Sequence, residues 1–224
     1  MSDFLALCKA VRRDCGISGD GPAAVTNQTG TLKKIVDWTS EAWVNIQRSR
    51  RDWRFMAASH AGSLSTSKQE YNASDLAIAT AVLGEIDHES FYLGTDELPL
   101  QYHDYLDWRK ERYGITPKTT KPQRWTINLA GNVLLDSIPD QAYTFTFDYR
   151  KASQILAANT DTPYMPADYK DAIISLAGQY YADYNEMAAL SNKFGIRHTN
   201  TMTDLENDQS PTVTFPSSRF GRSR

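Results

Sequence analysis

Residues 85–90, Glu-Ile-Asp-His-Glu-Ser, gather Glu85, Asp87, His88 and Glu89, side-chain types that hold divalent cations or move protons. Neighbours in an extended segment point to opposite faces, so these groups cannot converge on one ion or one scissile bond, and the stretch reads as a solvated loop. A hydrolase using two carboxylates such as Glu85 and Glu89 would need a cleft that raises one pKa, and nothing in the sequence specifies one. Residues 19–24, Gly-Asp-Gly-Pro-Ala-Ala, meet the glycine spacing of a dinucleotide-binding turn, with Asp37 near the position of a ribose-binding acid. That turn works only between a buried strand and a helix N-terminus; here a helical pattern precedes it and Pro22 intrudes, which leaves a loop. The four histidines, His60, His88, His103 and His198, include no pair at ligand spacing on one helix face. Neither a phosphate loop nor a Gly-x-Ser-x-Gly elbow occurs. The expectation is a non-enzyme with no catalytic residues, no metal and no cofactor.

The stretch Asp37 to Met56, DWTSEAWVNIQRSRRDWRFM, is the other concentration of chemistry. Arg48, Arg50, Arg51 and Arg54 stand against Asp52, an excess of positive charge that can face phosphates, pair with acids of a neighbouring chain, or be hydrated. Trp43 and Trp53 fall on the same seam as Leu32, Val36, Thr39, Ile46 and Arg50, in alternating steps of four and three, and read as core. Trp38 and Val44 lie off that seam. Trp38 is therefore the candidate for a contact between subunits, with burial inside one chain as the plain alternative.

The elements that must position these residues follow from periodicity. Phe4, Leu7, Cys8, Val11 and Cys15 predict a helix over about 3–15, stopped by the glycine cluster at 16–22, and the tryptophan seam predicts a second over about 31–55. From His60 to Arg150 short apolar runs, prolines and turn residues predict strands, with a short helix at YHDYLDWRKERYG. Residues 124–151 read as a three-stranded meander whose last strand points Tyr143, Phe145, Phe147 and Tyr149 one way and Thr144, Thr146 and Asp148 the other. Tyr169, Ile173, Leu176, Tyr180, Tyr184 and Met187 predict a third helix over about 166–191, opened by Pro166. The fold class is then α+β: a small helical bundle from residues 1–58 and 151–192, an inserted β-rich domain at 59–150, and a polar C-terminal tail at 193–224 ordered only by a partner.

Composition bounds the rest. Hydrophobic residues at 41%, charged residues at 23% and aromatics at 11% are globular values, and a net charge of -3 lacks the domain-wide basic excess of a nucleic-acid binder. Cys8 and Cys15, roughly 10 Å of rise apart on one helix, cannot join to each other, which fits a reducing compartment. No stretch has the length of a membrane span and the start lacks a signal peptide, so the chain is expected to avoid membranes.

Taken in order, CKAVRRDCGISG, LKKIVDWTSEAWVNIQRSRRDWRFM, EIDHESFYL, LPLQYHDYLDWRKERYG, IPDQAYTFTFDYRKASQIL and DTPYMPADYKDAIISLAGQYYADY resemble the head-to-tail adaptors of tailed bacteriophages, over about Phe4 to Leu190. The resemblance implies a helical bundle carrying a β-rich insertion. It implies a structural virion protein of the neck, assembled in the bacterial host cytoplasm, of which typically about twelve copies form a dodecamer ring beneath the portal. The implied partners are other copies of itself, the portal protein, a tail or nozzle protein, and double-stranded DNA passing transiently through the channel. Subunit contacts are expected at Trp38, Arg48, Arg50, Arg51 and Arg54. By analogy, a C-terminal arm carrying Arg219, Phe220, Arg222 and Arg224 is expected to fold onto the portal. A β region that recognises a peptide or sugar is the alternative binding-module reading.

Overall fold

The computed structural model describes residues 3–79, 82–94, 96 and 98–209. In chain order its elements are α1 (Phe4–Asp14), α2 (Gly30–Ser49), β1 (Ala57–Ser63), β2 (Glu70–Tyr71), β3 (Leu83–Ile86), β4 (Tyr92–Leu93), β5 (Gln101–Tyr102), α3 (Tyr105–Arg112), β6 (Arg124–Ile127), β7 (Val133–Leu135), β8 (Thr144–Lys151), α4 (Lys170–Tyr184) and α5 (Ala188–Gln209). The fold is α+β. Packing divides it into a helical unit, Met1–Phe55 with Ile155–Arg224, and a β-rich unit, Met56–Gln154.

In the helical unit, α1 begins where the Asp3 carboxylate accepts from the Ala6 N–H at 2.8 Å. Two more of its free N–H groups are taken up by a distant loop: Phe4 donates to the Asp161 carbonyl at 2.8 Å and Leu5 to that of Asn159 at 3.2 Å. The helix ends in a Schellman turn. Ile17 donates to Arg12 and Gly16 to Arg13, with Gly16 at φ 70°, a left-handed conformation that a Cβ would disfavour. Phe4, Leu7, Cys8, Val11 and Cys15 are all buried, as their spacing predicts.

α2 stops sooner than its seam suggests. The expected helix to residue 55 ends at Ser49, because Arg50 turns extended and is held there by Asp52, Nε to Oδ1 at 3.0 Å and Nη2 to Oδ2 at 2.8 Å. Trp53 is buried nonetheless. The reversed chain brings it back over the helix end, where its indole N–H donates to the Ile46 carbonyl at 3.0 Å, an oxygen that also accepts from the Ser49 hydroxyl at 2.8 Å. Phe55 stacks on Trp53 at 5.2 Å and meets Trp43 at 5.9 Å.

The third predicted helix is two. α4 ends at Tyr184 in a second Schellman turn, with Met187 donating to Ala182, Glu186 to Asp183, and Glu186 itself at φ 56°. α5 then runs back along α4, so residues 193–209, expected as tail, are helix. It comes close at Gly178, where an added Cβ would lie 2.7 Å from the Phe194 ring. The buried residues of α4, Ala172, Ile173, Ile174, Ser175, Ala177, Gly178 and Ala182, are mostly small, which lets helices pack closely against it.

The β-rich unit holds two sheets. One has the order β1-β8-β3 with β4 also on β8; the other is β2-β7-β6-β5. The expected meander is therefore split: β6 and β7 form a hairpin, but β2 occupies the far edge of β7, pairing Glu70 with Leu134, and β8 joins the other sheet. The alternation in β8 holds, with Phe145 and Phe147 1% exposed and Thr144 and Thr146 facing solvent. β1, Ala-Ala-Ser-His-Ala-Gly-Ser, has little strand propensity of its own. Its small residues make room for the aromatic strand beside it: Gly62 pairs with Phe145, whose ring sits 2.6 Å from where a Cβ would project. Phe91 lies between the sheets, 5.6 Å and 5.4 Å from the Phe145 and Phe147 rings and 5.2 Å from Trp125.

Two substitutions test this packing. Phe91→Ala empties the junction of the two sheets and is expected to cost about 3–5 kcal/mol of unfolding free energy, measured by denaturant titration. Gly178→Val forces Phe194 off α4 and is expected to cost about 1–3 kcal/mol, while increasing hydrogen exchange across α5.

Candidate assembly surfaces

The arginines of the tryptophan segment sit at the turn that ends α2. Arg48, Arg51 and Arg54 are exposed, and among the described residues Arg48 and Arg54 have no ion-pair partner. Arg50 is occupied within its own chain. Its fork on Asp52 holds that carboxyl below its ordinary range and raises the guanidinium, and the cation lies 5.5 Å over the Trp53 ring. Glu206 on α5 adds to the field at Arg50, so the basic turn and the end of α5 are neighbours.

Trp38 is half-buried on the side of α2 away from Trp43. Tyr181 meets it edge-on at 6.3 Å and Tyr184 at 5.6 Å, both from α4. The Lys34 ammonium lies 3.5 Å over the Tyr184 ring and, by its hydrogen bond, lowers the phenol's pKa. Tyr184 is 60% exposed and Met187, in the turn that follows, 46%, so the edge where α2 meets α4 shows solvent an aromatic and thioether surface. Tyr184 belongs to the α4 pattern that the sequence shows and Tyr181 does not; the contact of either with Trp38 does not follow from that pattern.

Arg197 on α5 was not singled out by any sequence pattern. Its guanidinium forms a bidentate pair with Asp171 on α4 and reaches Asp14 at the end of α1 with Nη1 to Oδ2 at 2.8 Å. Beside it the His198 Nδ1 donates to the Ala172 carbonyl at 3.0 Å. Burial disfavours the imidazolium and pushes the His198 pKa down from 6.5. Two clefts border these helices. One of about 720 Å³ runs between α4 and α5, lined by Gln179, Asp183, Asn192, Ile196 and Thr199 among others. The other, about 500 Å³, lies between α1 and the glycine loop.

The acidic cluster at 85–90 lies away from both of these clefts. Glu85, in β3, and Glu89 are exposed; beyond β3 the chain turns, with Asp87 accepting from the Glu89 N–H at 3.1 Å, His88 stacked on Tyr102 at 3.5 Å and the Ser90 hydroxyl bonded to the backbone of Asp148. Among the described residues no three His, Cys, Asp or Glu side chains are grouped to hold a metal. Burial pushes the Cys8 and Cys15 thiols up to about 12, which removes both as nucleophiles near neutral pH. No helix among the described residues is long and apolar enough to cross a membrane. Arg219, Phe220, Arg222 and Arg224 lie outside the described residues.

The described residues thus offer an aromatic edge and a basic turn on a helical unit with a β-rich unit inserted in its sequence. Residues 2–216 match the model of the SU10 adaptor protein family, and the chain belongs to that family. It is a phage adaptor protein, a virion component that interacts with other virion components. No curated protein matches it.

The His198 geometry gives a pH signature. Its folded pKa lies below the unfolded value, so the unfolded chain takes up the proton first. Stability is then complete above about 6.5 and declines as pH falls below it. Fluorescence-monitored unfolding across pH 5–8 should show this slope, and His198→Gln should flatten it.

Proposed function

We propose that this adaptor forms a ring beneath the portal of a tailed-phage capsid, joins the capsid to a tail or nozzle protein, and lines part of the channel through which double-stranded DNA leaves. The match to the adaptor family over residues 2–216 carries this reading. The exposed aromatic edge at Trp38 and Tyr184 supports it, since a heterologous ring requires each copy to offer unsatisfied surface to the next. Arg48, Arg51 and Arg54 complete the contact by pairing with acids of a neighbouring copy, whereas Arg50 keeps Asp52 and shapes the turn.

The net charge of -3 suits a channel wall, because several arginine–phosphate contacts per copy, multiplied around a ring, would hold the DNA instead of letting it slide. The protein works in the virion neck without a catalytic step or cofactor and is assembled in the cytoplasm of the bacterial host. Its C-terminal segment, with Arg219, Phe220, Arg222 and Arg224, docks on the portal, contributing buried area at the cost of ordering the chain.

Light scattering of the purified chain with and without portal particles tests the reading. The mass of the portal should rise by a ring of copies, and removal of residues 210–224, which leaves α5 whole, should weaken binding by about tenfold or more. A portal that gains no mass removes the adaptor position; undiminished binding of the shortened chain removes only the role of the arm.

A further inference from the structure

We propose that the cleft on the outer face of α1 receives the acidic end of α5 from a second copy of this chain. The inference rests on the ring reading above and names one of its contacts.

α1 turns Phe4, Leu7, Cys8 and Val11 inward, which leaves Ala6, Lys9, Ala10 and Arg13 on the opposite face. There the helix and the loop Gly19–Gly21 enclose a cleft of about 500 Å³. Ala6 and Ala10, both short side chains, are part of its lining together with Lys9 and Arg13. Lys9, Arg12 and Arg13 supply three cations against one acid, Asp20. Arg13 is engaged with Asp14, Nε to Oδ1 at 3.2 Å, but among the described residues Lys9 and Arg12 have no ion-pair partner.

The same helical unit carries an acidic surface at the end of α5, where Glu206 faces Arg50 of its own chain but Asp204 and Asp208 form no ion pair among the described residues. Burial first, and then the charges of Asp208 and Asp204, one turn apart on α5, and of Asp168 in the turn before α4, raise the Tyr169 pKa, and the Tyr169 hydroxyl is hydrogen-bonded to Asp208. Among the described residues none of the three aspartates forms an ion pair. Two like charges at i, i+4 repel, and both sit near the helix end whose dipole is already negative. The isolated chain therefore keeps an arrangement that lowers its own stability, and cations from outside offset it. Head-to-tail pairing satisfies the acidic end and the basic cleft at once, and a closed ring leaves neither uncovered. Phosphates of a nucleic acid would occupy the cleft but leave the aspartates as they are.

Sedimentation velocity of the full-length chain at low and high salt tests the contact. The wild-type chain should self-associate at about 50 mM salt and dissociate as screening rises toward about 500 mM. Lys9→Glu with Arg12→Glu, and separately Asp204→Lys with Asp208→Lys, should each weaken association about tenfold or more, and mixing the two charge-reversed proteins should restore it. The lysines suit the end of α5, and the neutral pair Lys9→Gln with Arg12→Gln repeats the first arm with little effect on α1; thermal melts establish that each variant is folded. A wild type that associates while the cleft variants associate equally well overturns this contact and leaves the ring intact. A wild type monomeric at low salt, with and without portal particles, overturns both. Cleft variants that lose affinity for duplex DNA but associate normally assign the cleft to nucleic acid instead.

Discussion

The helical unit depends on how closely other helices approach α4. That helix is buried on more than one side through Ala172, Ala177, Gly178 and Ala182, and small side chains there turn what would be a ridge into a seat. α5 needs that seat. Of its 22 residues only Phe194, Leu205 and Gln209 are buried, so little apolar area holds it, and the Phe194 ring against Gly178 fixes its register. Around that anchor, Arg197 and His198 make the polar bonds that tie α5 to both ends of the bundle's sequence. Removing the close approach would leave a long polar helix with little reason to stay folded against its neighbour.

The β-rich unit follows the same logic with the roles exchanged. There the large residues lie at the centre, Phe91, Phe145, Phe147 and Trp125, and the small ones on the strand that faces them, with Gly62 beneath Phe145. Aromatic rings that bury much area each let two sheets of very short strands share one core, which hydrogen bonding between two-residue strands alone does not stabilise.

Patterns local to one element were legible. The spacing of Phe4 to Cys15, the alternation along β8, and the short α3 follow from the sequence because burial on one face imposes a period. What failed depended on partners far along the chain. The seam from Leu32 to Trp53 continues in spacing after the helix has ended, since the turned chain still delivers Trp53 to the same core, and the side chain buried in its first turns is Ile35 in place of Val36. The break at Asn185 to Met187 has no glycine or proline to mark it; Glu186 adopts the left-handed conformation that usually selects glycine. The weak strand β1 is a strand because of Phe145 and Phe147, not because of its own residues. The same holds for the surfaces: the arginines and Trp38 are conspicuous in composition, whereas the link from Arg197 to Asp14 joins positions that only the fold brings together.

The helical unit is built from both ends of the chain, with the β-rich unit between them. On the ribosome, α1 and α2 emerge early with Trp43, Ile35 and Leu7 uncovered, and the helix that shelters them is not yet made. At about 5–20 residues per second, the interval between Ser49 and Lys170 is on the order of ten seconds. For that time the nascent bundle is a hydrophobic surface without a lid, while the intervening β-rich segment is already free to fold. The topology thus exposes the first two helices to aggregation or chaperone binding during synthesis until α4 has been made.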